Sequence, residues 1–346
     1  MNAQEGAPIA IRELDFEPPR WLRSPHVQSV VGSLALRRRA ADAVSVGLRA
    51  ASRPRVVHCS DGTRLEALVS RHEDAGAERA AGARPVVVII HGWNGCGESL
   101  HVLSPAGHLF EAGWDVVRLH LRDHGGTERL NRELFHSCRI DETLDAVLRI
   151  REWFPQAPFA VVGFSLGGNF ALRIGLRGPA AGLDLAGVVG VCPLLDPGET
   201  MAALDAGWFG YRIHFMRNWR RQLDGKRRAF PEHFDFDATR ALSSITDMTR
   251  WFVEHYTPYE SLDRYLAEYT MTGPALAPLA VPTRILAALD DPVIPAEGLD
   301  RLQATQALEV LATRYGGHCG FVADAQLGNW SDAALEGLLV PLTGRP

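Results

Sequence analysis

Gly163-Phe164-Ser165-Leu166-Gly167 joins two segments of opposite character. Residues 158–164 read as a strand, and residues 167–176 as a helix opening on Gly167, Gly168 and Asn169. A serine at such a joint sits on a sharp, strained turn. Glycines two positions to either side are needed because side chains there would collide. The turn lifts the Ser165 hydroxyl off the end of the sheet and points the N–H of Leu166 at an oxyanion forming beside it. A chance Gly-x-Ser-x-Gly in a glycine-rich chain is the competing reading. The strand–turn–helix setting argues against it.

The same alternation runs through much of the chain. Residues 86–90 (VVVII) are a β-branched run of the kind buried on both faces of a sheet. Residues 115–121, 186–192, 283–289 and 308–314 read as further strands, and 103–112 and 141–154 as helices, with Asp141 favouring the start of the second. Strands alternating with helices predict an α/β fold, a mostly parallel sheet covered on both faces. Residues 71–84 read as an exposed connection. Residues 196–278 break the rhythm, are rich in aromatics, and read as an inserted helical cap. The expected organisation is an N-terminal extension over 1–54 packing on the body, a body over 55–195 and 279–346, and the cap between. Ligands of such sheets bind beyond the carboxyl ends of the strands.

A serine hydroxyl needs a base, and the base needs an acid to orient it. On sheets of this kind the acid and then the histidine follow the serine in chain order. Asp290-Asp291-Pro292 follows the strand at 283–289, and Gly316-Gly317-His318-Cys319-Gly320 follows that at 308–314. The chain has 13 histidines, but His318 alone has this placement. Asp291 lies four residues before Pro295 and is the preferred acid; Asp290 is the other candidate, otherwise a loop-capping carboxylate. His91-Gly92-Trp93 follows the strand at 86–90 and offers the Trp93 N–H as a second oxyanion donor beside that of Leu166. His91 reads as a brace for that loop, and Arg122-Asp123-His124 as a structural turn near the site. The chemistry calls for no metal or organic cofactor.

The balance of charge narrows the partners. A formal net charge of −5 gives no reason to expect nucleic acid. Five scattered cysteines, with no Cys-x-x-Cys pair, argue against a disulfide framework or a zinc site. The first residues lack the basic and apolar regions of a signal peptide, and no apolar run is long enough to span a bilayer, so a cytoplasmic location is expected. Arg37-Arg38-Arg39 reads as a solvated surface. The basic residues from Arg217 to Arg228, with Lys226, read first as a solvated cap face and second as a weak peripheral contact with anionic lipid.

Taken together, these motifs resemble the YheT-like group of α/β-hydrolases, which includes ABHD1/ABHD3-type and EMB8-type proteins. The likeness rests on Trp21-Leu22-Arg23-Ser24-Pro25-His26-Val27-Gln28-Ser29, the His91-Gly92 loop, Gly163 to Asn169, Tyr256-Thr257-Pro258, Asp290-Asp291-Pro292 and Gly316 to Phe321. Trp93-Asn94 and His124 depart from the usual pattern. The resemblance implies carboxylic-ester hydrolysis by Ser165, Asp291 and His318 through an acyl-enzyme. A cap rich in aromatics suggests a pocket for apolar, medium-chain or lipid-like acyl groups, with Trp93, Trp208, Phe209 and Phe215 as candidate lining. Competing readings are an acyltransferase or lyase on the same scaffold and a non-catalytic binding protein. The N-terminal Trp21 to Ser29 segment has no evident chemical role and is expected to pack on the body.

Overall fold

The computed structural model describes residues 8–75 and 83–344, so part of the connection expected over 71–84 lies outside the described residues. The strands are β1 (Ile11–Glu13), β2 (Ser52–His58), β3 (Arg64–Ser70), β4 (Val86–Ile90), β5 (Asp115–Leu119), β6 (Phe159–Phe164), β7 (Gly187–Val191), β8 (Thr283–Ala288) and β9 (Leu308–Thr313). They form one nine-stranded sheet in the order β1-β9-β8-β7-β6-β4-β5-β3-β2. All neighbours are parallel except β3 with β5 and β2 with β3.

The apolar runs dictate the centre of this sheet. Every residue of β4 is buried. Its side chains alternate, Val86, Val88 and Ile90 joining one core and Val87 and Ile89 the other. A strand dry on both faces belongs between two others, and β4 lies between β5 and β6. The strands β4 to β9 are those expected from sequence. The three that were not expected sit at the margins. β2 carries Arg53, Pro54 and Arg55 on an exposed edge, a composition that blunts edges rather than announcing a strand. β1 is only three residues long and takes its partner from β9 at the far end of the chain.

The helices are α1 (Pro25–Ser33), α2 (Arg38–Ala43), α3 (Val46–Ala51), α4 (Leu100–Glu111), α5 (Ile140–Glu152), α6 (Leu166–Arg177), α7 (Pro197–Ala206), α8 (Phe209–Ala229), α9 (Ile245–Tyr256), α10 (Leu262–Ala267), α11 (Glu297–Asp300) and α12 (Trp330–Leu339). α5 and α6 pack on one face of the sheet, α4 and α12 on the other. α7 to α10 occupy the segment between β7 and β8 that reads as a helical cap in the sequence. α7, α8 and α9 share an apolar cluster of their own, in which Met216, Trp219, Met248 and Phe252 meet Val293 and Ile294 from the loop after β8, while Tyr265 of α10 joins a core of the sheet. Among the described residues no helix is long and apolar enough to cross a membrane.

Two expected surface cations are buried instead. Arg37 lies under the 320s loop, bonding Gly32 O and Leu327 O. Lys226, read as part of a solvated run, reaches from α8 into the body and pairs with Asp123. A long side chain bearing one charge can be buried when acceptors meet its tip; Lys226 finds them on every side, and Arg37 finds two, with its Nη2 left without a partner among the described residues.

Candidate active site

Ser165 links β6 to α6 with φ 56° and ψ −119°, the strained conformation expected at this joint. The flanking glycines are forced. A Cβ on Gly163 would lie 1.9 Å from Gly167 O, and one on Gly167 2.3 Å from Ile90 O. Leu166 opens α6, so its N–H has no intrahelical acceptor. Gly92 packs against Ser165, which brings the following Trp93 beside the same hydroxyl.

The residues expected to act together are brought together. His318 Nε2 lies 3.0 Å from Ser165 Oγ. His318 Nδ1 lies 2.8 Å from Asp291 Oδ2. The other oxygen of Asp291 accepts the N–H groups of Val293 and Ile294 at 2.8 and 2.9 Å, fixing the carboxylate beside the imidazole. Asp290 acts elsewhere. Its Oδ1 accepts the Gly317 N–H at 2.8 Å and so anchors the histidine loop. The geometry therefore separates the two aspartates, and Asp291 is the one that faces the His318 imidazole.

That loop is strained, with Gly317, Cys319 and Phe321 all at positive φ. Nothing in the local pattern of residues signals what holds it. α1 does so. Ser29 Oγ accepts the His318 N–H at 2.8 Å. The Gln28 carboxamide donates to Val322 O at 3.1 Å and accepts the Val322 N–H at 2.7 Å. The end of the Trp21–Ser29 segment thus packs against the back of the histidine loop.

Histidines brace the loop after β4. His91 donates from Nδ1 to Gly92 O at 2.8 Å and accepts the Leu121 N–H at Nε2, 3.1 Å. His124 donates to Arg122 O at 2.7 Å and accepts the Asn94 N–H at 3.2 Å. His120 accepts the Gly97 N–H at 2.9 Å and faces Glu66. Each imidazole uses Nε2 as an acceptor, which requires the neutral ring. Burial enforces this, holding His124 down to about 4 and His91 and His120 below their ordinary value. His91 thus braces its own loop, and His120 and His124 were not foreseen in that part. Among the described residues, no group of three or more His, Cys, Asp or Glu side chains is arranged to hold a metal ion.

Two pockets meet at Ser165. The first is largely apolar and lies on the Leu166 side, walled by Met201, Leu204, Trp219 and Phe252 from α7 to α9 and by Val293 and Ile294. The second contains His318. Trp93 and Phe215, stacked with ring centroids 5.6 Å apart, line both. Trp208 and Phe209, expected to line the acyl pocket, do not. They are 44% and 60% exposed, Trp208 packing on His26 and Tyr211 beside the start of α8. Their place is taken by Trp219 and Phe252, which sit on the inward faces of α8 and α9.

Residues 85–325 match the family described as the alpha/beta hydrolase fold, well over half of the chain. The chain belongs to the α/β-hydrolase family. Among relatives of this α/β-hydrolase is Phospholipase ABHD3 of Bos taurus, 25% identical over 248 residues, 70% of this chain and 59% of that protein. ABHD3 of Homo sapiens is 23% identical over 280 residues, 78% of this chain and 66% of that protein. YheT of Escherichia coli (strain K12) is 26% identical over 257 residues, 70% of this chain and 72% of that protein. The chain thus spans less than two thirds of the length of the mammalian relatives. Similarly folded solved structures include the Pyrococcus furiosus esterase Pf2001, with a TM-score of 0.54 at 13% identity, covering 87% of this chain and 96% of that one. A membrane phospholipase A described as a bacterial virulence factor has a TM-score of 0.54 at 16% identity, covering 91% and 92%. The chain is an ABHD3/YheT-like α/β-hydrolase.

Proposed function

We propose that this protein hydrolyses carboxylic esters through an acyl-enzyme on Ser165. The observation that carries this reading is the unbroken series Asp291–His318–Ser165, 2.8 Å and then 3.0 Å. His318 Nε2 takes the Ser165 proton as Oγ attacks the ester carbonyl. Asp291 holds the Nδ1–H tautomer and stabilises the imidazolium that forms. The N–H groups of Trp93 and Leu166 receive the oxyanion, and losing one such donor costs about 2.7–4 kcal/mol of barrier. The imidazolium then returns its proton to the leaving alkoxide. Water, activated by the same imidazole, releases the acyl group.

The pocket on the Leu166 side lies where the acyl group of such an intermediate would point. Its aliphatic and aromatic walls favour an apolar acyl chain of medium length or a lipid-like one. Relatives bearing the word phospholipase, and similarly folded proteins bearing the word esterase, support the same class.

Labelling with a fluorophosphonate, wild type beside Ser165→Ala, tests the nucleophile. The wild type is expected to label and the variant not to. Hydrolysis of p-nitrophenyl esters of graded chain length, run in parallel, is expected to peak at medium chains. A folded wild type that neither labels nor hydrolyses any of these esters would overturn the reading.

A further inference from the structure

The pocket that contains Ser165 and His318 opens between two segments remote in sequence. Ser33, Ala35 and Arg38, at the end of α1 and the turn into α2, line one side; His214, Phe215 and Asn218 of α8 line the other. At one end His26 Nδ1 lies 3.0 Å from Tyr211 Oη and ties the two segments together. They form the lips of the site.

Both lips turn apolar side chains to solvent. Of the ten large apolar side chains that are exposed among the described residues, five stand here: Leu34 and Leu36 on one lip, Trp208, Phe209 and Ile213 on the other. Leu36 is 70% exposed and Ile213 56%. Isolated apolar residues on a surface need no explanation, but a cluster round the mouth of a site marks a contact. On α8 the pattern is regular. Phe209, Ile213, Arg217 and Arg221 follow at intervals of four and are all exposed, while Tyr211, Met216, Trp219 and Leu223 are buried. The outer stripe of this helix is thus apolar where it starts and cationic where it continues.

Charge decides what the contact is with. The whole chain carries a formal −5. Residues 18–41 nonetheless hold five arginines and no Asp or Glu, and residues 206–223 hold four arginines and no Asp or Glu. Arg39 and Arg217 are exposed, and neither has an ion-pair partner among the described residues. Arg227, farther along α8, is held by Asp224 and Asp237. Apolar side chains able to enter an acyl layer, framed by free arginines at headgroup depth, match an anionic lipid surface. A soluble acidic partner accounts for the arginines and not for Leu36 or Ile213.

We propose that the two lips form one docking surface for an anionic bilayer, Leu36, Phe209 and Ile213 entering the acyl layer and Arg39 and Arg217 meeting the headgroups. The mouth of the pocket then opens onto the membrane. That this delivers an ester to Ser165 rests on the function proposed above; the docking does not. The test is co-flotation of the full chain with vesicles of equal parts phosphatidylglycerol and phosphatidylcholine, beside vesicles of phosphatidylcholine alone. Wild type is expected to float with the first far more than with the second, and to be largely released at about 1 M salt, where charges are screened within about 3 Å. Arg217→Gln should weaken binding about fivefold, the effect of one basic residue near an anionic leaflet. Leu36→Ser and Ile213→Ser should each weaken it about tenfold. All three side chains lie outside the catalytic series, so the variants should hydrolyse soluble p-nitrophenyl butyrate as wild type does. A wild type that does not bind anionic vesicles would overturn the docking surface. Binding that salt abolishes but neither serine variant moves would overturn it as well, in favour of a purely ionic contact. A wild type that floats with the vesicles but leaves p-nitrophenyl butyrate intact would count against the hydrolase reading and leave the docking surface standing.

Discussion

Ser29 and His318 are 289 residues apart in sequence, yet the Ser29 hydroxyl accepts the His318 backbone N–H at 2.8 Å. Ser29 also donates to Pro25 O at 2.8 Å, so its oxygen is held in place by its own helix. Packing is close enough that a Cβ on Gly320 would lie 2.4 Å from Gln28 O. Ser29→Ala leaves a strained loop with an N–H that has lost its acceptor, at a cost of about 1–3 kcal/mol. Small displacements of a general base are expensive to the rate. We expect kcat to fall about tenfold with KM unchanged. Steady-state kinetics on a p-nitrophenyl ester checks this, and a change confined to KM would assign α1 to substrate binding instead.

The Lys226–Asp123 pair fastens α8 to the body. Its N–O distance is 2.7 Å, with side-chain exposures of 0% and 2%. Lys226 also donates to the carbonyls of Asn131 at 2.7 Å and Glu133 at 3.0 Å. Lys226→Met abandons a buried carboxylate and is expected to destabilise the protein by about 3–5 kcal/mol in urea unfolding. Adding Asp123→Asn removes the abandoned charge while keeping an acceptor for the Phe135 N–H, which Asp123 Oδ2 holds at 2.9 Å. The double variant should therefore be more stable than Lys226→Met alone. Simple additivity of the two losses would show that the pair is not coupled.

The adjacent aspartates should separate cleanly. Asp291→Asn presents the wrong partner to His318 Nδ1 and is expected to lower kcat about 10⁴-fold, as loss of an orienting carboxylate does. Asp290→Asn keeps an oxygen for the Gly317 N–H and should cost about tenfold or less. The opposite ranking would transfer the orienting role to Asp290.

What could be read from sequence was whatever local pattern encodes. β4 shows itself in five β-branched residues. The Ser165 turn shows itself in two glycines that nothing larger could replace. Asp291 and His318 follow their strands within a few residues. What escaped was written in contacts between distant segments. Gln28 and Val322 bond across 294 residues, and nothing near either predicts it. Arg37 and Lys226 read as solvated charge because charge runs usually are, and only their distant acceptors reverse that. The cap aromatics were visible, but not which of them turn inward. Period alone does not tell Trp208 and Phe209 from Trp219 and Phe252.

Acid should weaken the fold before it disables the carboxylates. Burial pushes the imidazoles of His101 and His124 down to about 4, that of His136 to about 3, and that of His91 well below its ordinary 6.5. In the unfolded chain each takes up its proton near 6.5. Between pH 6.5 and about 4 the unfolded state therefore binds protons that the folded state refuses, and stability falls as the pH falls through that window. Asp123 and Asp332 act in the opposite sense. Burial lifts both carboxyls to about 6 from 3.8, so across that interval the folded state holds protons the unfolded state releases. These histidines outnumber the two carboxyls, and the net slope keeps the sign they set. Tm by scanning calorimetry is expected to drop steadily from pH 7 to about pH 4.5. His136→Phe, which removes a ring whose Nδ1 has no partner among the described residues, should flatten that drop. A Tm that holds or rises toward pH 4.5 would mean that these rings accept protons while folded, and the neutral bracing of Asn94 and Gly97 by His124 and His120 would then have to give way first.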